Sequence, residues 1–201
     1  MANGTTGDLP PTLPDYLRPG LRLVFVGINR GLYSARRGHY FARRTNRFWP
    51  ALSRSRLSAP VRTALGRDVL VPEDDARLPE FGIGLTDVVK TPSRGAADLA
   101  PAEFTRWAPE LTRKLGAFQP DVACFQGVTG YRAFLRHGLG VDARHVSLGP
   151  QARRIGTTRL YVVPNPSPAN AHFTLDDQVR WYDSLADLLD QGRGGAPAPA
   201  G

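Results

Sequence analysis

Three groups of residues in this chain of 201 combine side-chain types and spacing that suit chemistry on a ligand. The first group is the segment 27–49, GINRGLYSARRGHYFARRTNRFW. Gly27 and Gly31 permit a sharp backbone turn there, and the amide of Asn29 can then hold a water molecule in a fixed orientation. An amide has no useful basicity, so Asn29 would orient the water without taking its proton. The alternative interpretation is that Asn29 is simply an Asx-turn residue.

The same segment places aromatic rings between cations. His39, Tyr40 and Phe41 lie between the arginine pairs 36–37 and 43–44. This pattern suits a nucleobase stacked on a ring while nearby arginines hold its phosphates. The alternative is that Phe41 is only an anchor of the hydrophobic core.

A carboxylate and a stiff loop form the other two groups. Asp87 stands in GLTDVVK near the end of an apolar run, where a partly desolvated carboxylate can act as general base to water or stabilise a cationic transition state. It can equally be a helix cap or turn residue. The loop Asn165-Pro166-Ser167-Pro168 has two prolines that stiffen it, so it can press into a groove, although proline-rich turns are common.

Arginine dominates the positive charge of the chain. The net charge is +8, and Lys90 and Lys114 are the only lysines among 26 basic residues. From Tyr16 to Arg67 there are twelve arginines and no acidic residue, whereas Asp68 to Glu80 contains five acids. A stretch of one sign predicts a polyanionic partner. Compositional bias and a solvated basic face are the alternatives.

Cysteine content and hydropathy bound the class of protein. The single cysteine, Cys124, cannot form an internal disulfide, and no Cys/His cluster has zinc spacing, so we expect a reducing compartment and no metal. The longest apolar run, residues 21–28, contains Arg22 and is too short to cross a bilayer. No basic segment followed by an apolar one begins the chain, and we expect a cytoplasmic protein without membrane contact.

The element pattern predicts one α/β domain over residues 20–191, between mobile tails at 1–19 and 192–201 that are rich in Pro, Gly and small residues. Continuous apolar runs predict strands at 21–26, 83–89, 122–125 and 160–163. Helical spacing predicts helices over 104–115, over 175–189 after a start signal at Thr174, near Asn46 and over 127–135. This alternation favours a mostly parallel four-stranded sheet between two helical layers, with ligands at the carboxyl ends of the strands.

Together these residues resemble the mismatch-specific uracil/thymine DNA glycosylases, a branch of the uracil-DNA glycosylase superfamily. The similarity covers roughly residues 20–190, and an NPS segment at 165–167 supports it. The residues that carry it are Gly27-Ile28-Asn29, Gly31-Leu32, Gly38, Phe41, Asn46 and Phe48-Trp49. The resemblance implies a three-layer α/β/α fold and a monomeric enzyme that binds DNA. It also implies flipping of a uracil or mispaired thymine, and cleavage of its N-glycosidic bond without metal or cofactor, which leaves an abasic site.

The resemblance also assigns roles to residues. Asn29 positions the attacking water, and the ring of Phe41 stacks on the flipped base. The peptide groups of Ile28 and Phe41 read the base edge, Ser34 lines the pocket beside the pyrimidine 5-position, and Asn46 belongs to the same base-binding set. The loop from Asn165 to Asn170, with Ser167, Pro168 and Ala169, fills the gap in the duplex and contacts the opposite guanine. We expect phosphate contacts from Arg30, Arg36, Arg37, Arg43 and Arg44.

Three positions depart from the pattern of that family. Arg30 stands where the family commonly has proline, and the loop PSPANA at 166–171 lacks the Leu or Arg often found there. Asp87 stands where relatives often carry a residue that cannot act as a base, so we predict that Asn29 and Asp87 both contribute to catalysis.

Other classes of protein remain as alternatives. A nucleotide-dependent enzyme is disfavoured because the chain has neither GxGxxG after a strand nor GxxxxGK[ST]. A non-catalytic module that binds damaged or mismatched DNA is the main alternative, and a soluble α/β domain with another role is the third.

Overall fold

A five-stranded sheet forms the centre of the protein in a computed structural model that describes residues 12–191. The strands are β1 (Leu23–Gly31), β2 (Ile83–Ser93), β3 (Val122–Gln126), β4 (Gly149–Ile155) and β5 (Thr158–Val163). Their order across the sheet is β2-β1-β3-β5-β4. Neighbouring strands are parallel except β4, which runs antiparallel to β5. The predicted α/β class and mostly parallel sheet are confirmed.

The predicted strand count of four is too low by one. The missed strand, β4, has the sequence GPQARRI and lies at the edge of the sheet, where most of its side chains reach solvent. A strand exposed in this way has no continuous apolar run, which was the signal that found the other four.

Six α-helices occur in the described part of the chain. They are α1 (Leu32–Arg37), α2 (Phe48–Arg54), α3 (Ala59–Leu65), α4 (Pro101–Phe118), α5 (Val128–Gly138) and α6 (Leu175–Gln191). Short 3-10 segments lie at Arg56–Ser58, Pro72–Phe81 and Ala96–Asp98. The four predicted helices correspond to α2, α4, α5 and α6. None of the helices within residues 12–191 is long and apolar enough to cross a bilayer.

The start signal predicted at Thr174 is present. The Thr174 hydroxyl accepts a hydrogen bond from the N–H of Asp177 (3.1 Å), and the Asp177 carboxylate accepts one from the N–H of Thr174 (2.7 Å). This reciprocal cap satisfies backbone donors that the first turn of α6 would otherwise leave free.

Alternating side chains of β1 separate the two halves of the core. Leu23 and Phe25 point to one face and Val24 and Val26 to the other. The first face packs against α2 and α6 through Trp49, Leu52, Tyr182 and Leu185. The second packs against α4 and α5 through Leu111, Leu115, Phe134 and Leu135. The result is the three-layer α/β/α arrangement that was expected.

Residues 12–19, expected to belong to a mobile tail, instead pack on the domain. Leu13 is buried, and Tyr16 exchanges two backbone hydrogen bonds with Leu85 of β2, at 2.9 and 3.2 Å. The proline-rich composition of this segment hid the few side chains that anchor it. The remaining tail predictions, for residues 1–11 and 192–201, lie outside the described residues.

Candidate active site

A cavity of about 740 Å³ opens at the carboxyl ends of the parallel strands. Four strand ends and the loop after α1 contribute to its wall, and the wall includes Asn29, Asp87 and Phe41 together. Its size falls within the roughly 300–1,000 Å³ typical of small-ligand sites. The cavity therefore brings the three side chains singled out for chemistry to one place.

A bulge between β1 and β2 sets the direction of Asn29. Between the pairs Asn29–Val89 and Gly31–Ser93, β2 has two extra residues, and irregularities of this kind commonly re-aim a side chain. The Nδ2 of Asn29 donates to the Ser93 hydroxyl (2.8 Å) and to the backbone oxygens of Thr91 (3.2 Å) and Arg30 (3.1 Å). With Nδ2 held in this way, the amide plane is fixed, and Oδ1 accepts no hydrogen bond from any described residue.

Asp87 lies at the floor of the cavity and is almost fully buried, with 2% exposure. Its Oδ2 lies 3.0 Å from the Nε of Arg30, whose side chain is 1% exposed. Neither atom has a hydrogen-bond partner within the described part of the chain, so the contact is an ion pair without hydrogen-bond alignment. Burial raises the pKa of Asp87 above its ordinary value, while Arg30 and Lys90 oppose this shift.

Gly27 is needed because Asp87 approaches the backbone of β1. A side chain at this position would overlap the Oδ1 of Asp87 and would come within 3.7 Å of the Phe41 ring. The absence of a Cβ thus lets the carboxylate and the ring share one corner of the cavity.

Phe41 is held in an unusual backbone conformation, with φ of 52°. Its ring stacks on Phe48, with centroids 4.1 Å apart and an interplanar angle of 21°. The Phe41 ring therefore packs against the hydrophobic core, as the alternative interpretation of this residue predicted. Phe41 also lines the cavity and is only half-buried.

The backbone around Phe41 leaves one donor free. The N–H groups of residues 38 and 39 donate to carbonyl oxygens of α1, that of Tyr40 donates to Asp75, and that of Ala42 donates to Ser34. The N–H of Phe41 makes no hydrogen bond with another described residue. It is thus a backbone donor in the cavity wall with no acceptor of its own.

The other predicted base-binding residues also line the cavity. Ser34 is buried, and its hydroxyl accepts the Ala42 N–H at 3.1 Å, which fixes the turn that carries Phe41. Asn46 accepts the N–H of Phe48 at 2.9 Å through its side-chain oxygen, which leaves its amide nitrogen free to donate. Ile28 contributes from β1.

The loop at 165–170 contributes to the cavity wall, and a residue outside the loop holds it by hydrogen bonds. The guanidinium of Arg47 donates to the backbone oxygens of Ser167 (2.8 Å) and Asn170 (2.7 Å). The Asn170 side chain donates to the backbone oxygen of Asn165 at 3.0 Å. Pro168 and Ala169 are exposed at the tip. Fixed at its base, the loop presents a small, stiff protrusion.

The five arginines predicted to contact phosphates lie in different environments. Arg43 is exposed and lines the cavity. Arg36 and Arg44 are exposed beyond the cavity wall, and Arg37 pairs with Glu73 at 3.2 Å on the surface. Arg30 requires a correction, because it is buried and its guanidinium contacts Asp87 and Tyr40 rather than the surface that a DNA backbone could reach.

A group of buried and partly buried charges lies next to the ion pair. Asp15 contacts Lys90, accepts from Thr86 (2.6 Å) and pairs with Lys114 (2.8 Å). Burial raises the pKa of Asp15, but the two lysines outweigh it, and the net shift is downward. Burial lowers the pKa of Lys90, against the influence of Asp87 and Asp15. The site thus lies on an alternating set of charges contributed by distant segments.

Sequence reasoning gave no role to several residues of the wall, namely Tyr33, Arg94, Gln126, Thr129 and Phe173. Gln126 ends β3 and accepts a hydrogen bond from the Tyr182 hydroxyl at 2.9 Å. Its place directly after an apolar run was an available signal. Arg94 follows β2, and its place in the segment after a predicted strand was likewise visible. Arg47, which holds the loop at 165–170, gave no signal in the sequence, because it is one of many arginines in its segment.

Comparison with known proteins places this arrangement in a family. Residues 14–188 match the family described as the Uracil DNA glycosylase superfamily. The fold is similar to the solution NMR structure of a protein from Methanosarcina acetivorans that is described as a candidate uracil DNA glycosylase. The two chains share 20% sequence identity over 90% of this chain and 98% of that one, with a TM-score of 0.55. At this identity the likeness bears on the fold, whereas the family match spans nearly the whole domain, and the chain belongs to the uracil DNA glycosylase superfamily.

Proposed function

We propose that the protein is a monofunctional DNA glycosylase that removes uracil everted from DNA, with preference for uracil opposite guanine. Membership of the superfamily supports DNA glycosylase activity and DNA as the substrate. The observation that carries the finer proposal is the single cavity whose wall includes Asn29, Asp87 and Phe41. A water-orienting amide, a buried carboxylate and an aromatic surface suit hydrolysis of the N-glycosidic bond of an everted nucleotide.

The base is held by stacking and by backbone donors. An everted pyrimidine lies against Phe41, which Phe48 supports from behind. The free N–H of Phe41 and the amide nitrogen of Asn46 then donate to its carbonyl oxygens. As the glycosidic bond breaks, the base takes the bonding electrons and becomes an anion, which these donors stabilise more strongly than the neutral base.

On the sugar side of the glycosidic bond, the protein must stabilise positive charge. C1′ becomes cationic in the transition state, and the buried Asp87 carboxylate stabilises that charge. Asn29 accepts a hydrogen bond from the attacking water at Oδ1, and Asp87 takes the proton that the water loses as its oxygen bonds to C1′. The base anion then takes up a proton from solvent and Asp87 releases the proton that it took, so the products are the free base and an abasic site.

Eversion of the base explains a preference for mismatches. Extruding a nucleotide costs a few kcal/mol and costs least where pairing is already weak, so G·U and G·T are the favoured substrates. The loop at 165–170, with Pro168 and Ala169 at its tip, enters the gap that the everted base leaves in the duplex. Because Ser34 is small, a 5-methyl group fits beside it, and thymine is a slower substrate.

A cleavage panel tests the proposal. Duplexes with U or T opposite each base, and a single strand with U, are incubated with excess protein and treated with alkali. We expect fastest strand cleavage at U·G and slower cleavage at T·G. Asp87→Ala should lose at least about tenfold in single-turnover rate, since a positioned general base contributes about 10²–10⁴. Asn29→Ala should also be slow, because the attacking water is then no longer held in a fixed orientation.

Three outcomes of the panel contradict the proposal or one of its assignments. A mobility shift of mismatched duplex without any alkali-labile site identifies a binding module instead of an enzyme. Unchanged cleavage by Asn29→Ala removes the assignment of that residue to the attacking water. Unchanged cleavage by Asp87→Ala removes the carboxylate from the mechanism.

A further inference from the structure

The ion pair between Arg30 and Asp87 is the feature of the cavity that the proposed function does not yet use. Both side chains are buried and both line the cavity. Arg30 is itself fixed, since it donates to the Tyr40 hydroxyl at 2.8 Å and its guanidinium lies 5.1 Å from the centroid of the Tyr40 ring. The Tyr40 hydroxyl in turn donates to the backbone oxygen of Pro14 at 3.0 Å. The cation is therefore held in place before any ligand arrives.

The two carboxylate oxygens of Asp87 have different surroundings. Oδ2 lies 3.0 Å from the Arg30 Nε, and Oδ1 lies against the bare backbone of Gly27 at the cavity wall. Holding one oxygen fixes the rotation of the carboxylate, so that the other remains directed toward the cavity. Arg30 also has an unpartnered nitrogen, Nη1, among the described residues, which leaves a donor for a water molecule.

We propose that Arg30 is a positioning residue for the glycosylase reaction, which orients the Asp87 carboxylate and keeps it charged in the buried cavity. This inference rests on the proposed function and deepens it. It replaces the phosphate contact first expected for Arg30.

Among the charged groups around Asp87, Arg30 is the nearest cation. The groups that face Asp87 are Arg30 from β1, Lys90 from its own strand, Asp15 from the N-terminal segment and the Tyr40 hydroxyl. Lys114 of α4 acts only through Asp15. Lys90 contacts Asp15, whereas Arg30 lies 3.0 Å from Asp87 and 4.0 Å from Asp15. Removal of Arg30 therefore leaves the carboxylate buried without its nearest cation, and its proton is lost only at higher pH.

The test is a pH profile of the single-turnover rate on U·G duplex at saturating protein. The wild type is compared with Arg30→Met, Arg30→Lys, Asp87→Asn and the double variant Arg30→Met/Asp87→Asn. We expect the midpoint of the acidic limb to rise by about one pH unit or more in Arg30→Met, because an adjacent arginine typically lowers a carboxyl pKa by about 1–3 units. Arg30→Lys, which keeps the charge, should restore most of the wild-type profile.

The double variant gives a second readout. If Arg30 acts through Asp87, Arg30→Met should change the rate of the Asp87→Asn protein by less than about twofold. The double variant also removes both buried charges together, so it remains folded where loss of one partner alone is destabilising. Thermal melting of each variant checks the fold. The matched control is the exposed pair Arg113–Glu110 on α4, where Arg113→Met/Glu110→Gln should alter neither rate nor profile.

The inference is overturned if the acidic midpoint of Arg30→Met stays within about 0.3 unit of wild type, a twofold change in ionised fraction. It is equally overturned if Arg30→Met slows the Asp87→Asn protein by the same factor as it slows wild type. Its failure differs from failure of the proposed function, because the wild-type protein would still produce abasic sites that depend on Asn29. Absence of abasic sites with the wild type would instead reject the proposed function itself.

Discussion

The side-chain amide of Asn29 crosses from β1 to β2 and donates to the hydroxyl of Ser93 at 2.8 Å. Ser93 in turn donates to the backbone oxygen of Gly95 at 2.6 Å, which ties the amide to the loop after β2. Ser93, which lies outside the cavity wall, is therefore one of the three acceptors that fix the orientation of the amide. A group that orients water works only if it is itself held still.

Removal of the Ser93 hydroxyl tests this support. Ser93→Ala should lower the single-turnover rate by about fivefold, the equivalent of one hydrogen bond of average strength, while duplex affinity stays unchanged. Ser184→Ala, which removes a hydroxyl paired with Tyr161 at 3.1 Å, is the control and should keep the wild-type rate. Equal rates for Ser93→Ala and wild type would show that Thr91 and Arg30 hold the amide without the serine.

Salt dependence reports which arginines face DNA. Arg43 is exposed at the cavity, and each phosphate contact on duplex DNA contributes about −0.9 to the slope of log affinity against log salt. Arg43→Ala should reduce the slope by about one unit, measured by fluorescence anisotropy between low and moderate salt. Arg113→Ala, on an exposed surface of α4, should leave the slope unchanged. A flat slope for wild type would place the arginine-rich segment away from DNA.

Tyr33 is a 43%-exposed aromatic residue at the cavity, in the first turn of α1. We predict that its ring stacks on a base beside the everted nucleotide. Tyr33→Ala should then lose about 1–3 kcal/mol of binding free energy for mismatched duplex, and Tyr33→Phe should lose little, because the stacking surface remains. Anisotropy titrations compare the two variants. Equal losses in both would assign the effect to the hydroxyl and reject stacking.

Asp15 should make the stability of the protein depend on acid pH. Its pKa lies below the ordinary 3.8, so the stabilisation that it provides is complete above that value and is lost as pH falls through its lower value in the folded state. Asp15→Asn leaves Lys90 and Lys114 without their shared partner and should lower the free energy of unfolding by about 3 kcal/mol near pH 7.

Urea unfolding at several pH values measures this linkage. The difference between wild type and Asp15→Asn should narrow as the pH falls below about 4. Asp142→Asn is the control, since Asp142 pairs with Arg144 on the surface, where an ion pair contributes little. If the difference in free energy of unfolding between wild type and Asp15→Asn stayed constant from pH 7 to pH 3, the lowered pKa of Asp15 would be contradicted.

Apolar runs predicted the strands whose two faces are covered, and nothing local predicted β4. The predicted strands at 21–26 and 83–89 overlap β1 and β2, but β1 and β2 continue to Gly31 and Ser93. Their polar ends, including Asn29, look like loop in a hydropathy pattern because they face the cavity. Strand ends that carry chemistry therefore tend to be placed outside the strand when sequence alone is used.

The partners of Arg30 could not be predicted from the sequence. Asp87 and Tyr40 reach it only after β1 and β2 pair and the turn after α1 closes. In the sequence, Arg30 is one of twelve arginines in a stretch without acids, and burial of one of them leaves no local mark. By contrast, Asn29 and Phe41 were recognisable because their neighbours, Gly27 among them, form a spaced pattern.

The backbone hydrogen bonds between Tyr16 and Leu85 have a consequence for how the protein behaves in solution. β2 is an edge strand with a largely apolar sequence, and an open edge of this kind pairs readily with strands of other molecules. Tyr16 occupies the backbone groups of Leu85 that such a strand would use. Chains shortened into this segment should therefore suffer self-association and poor recovery in concentrated samples, even when every group that lines the cavity is intact.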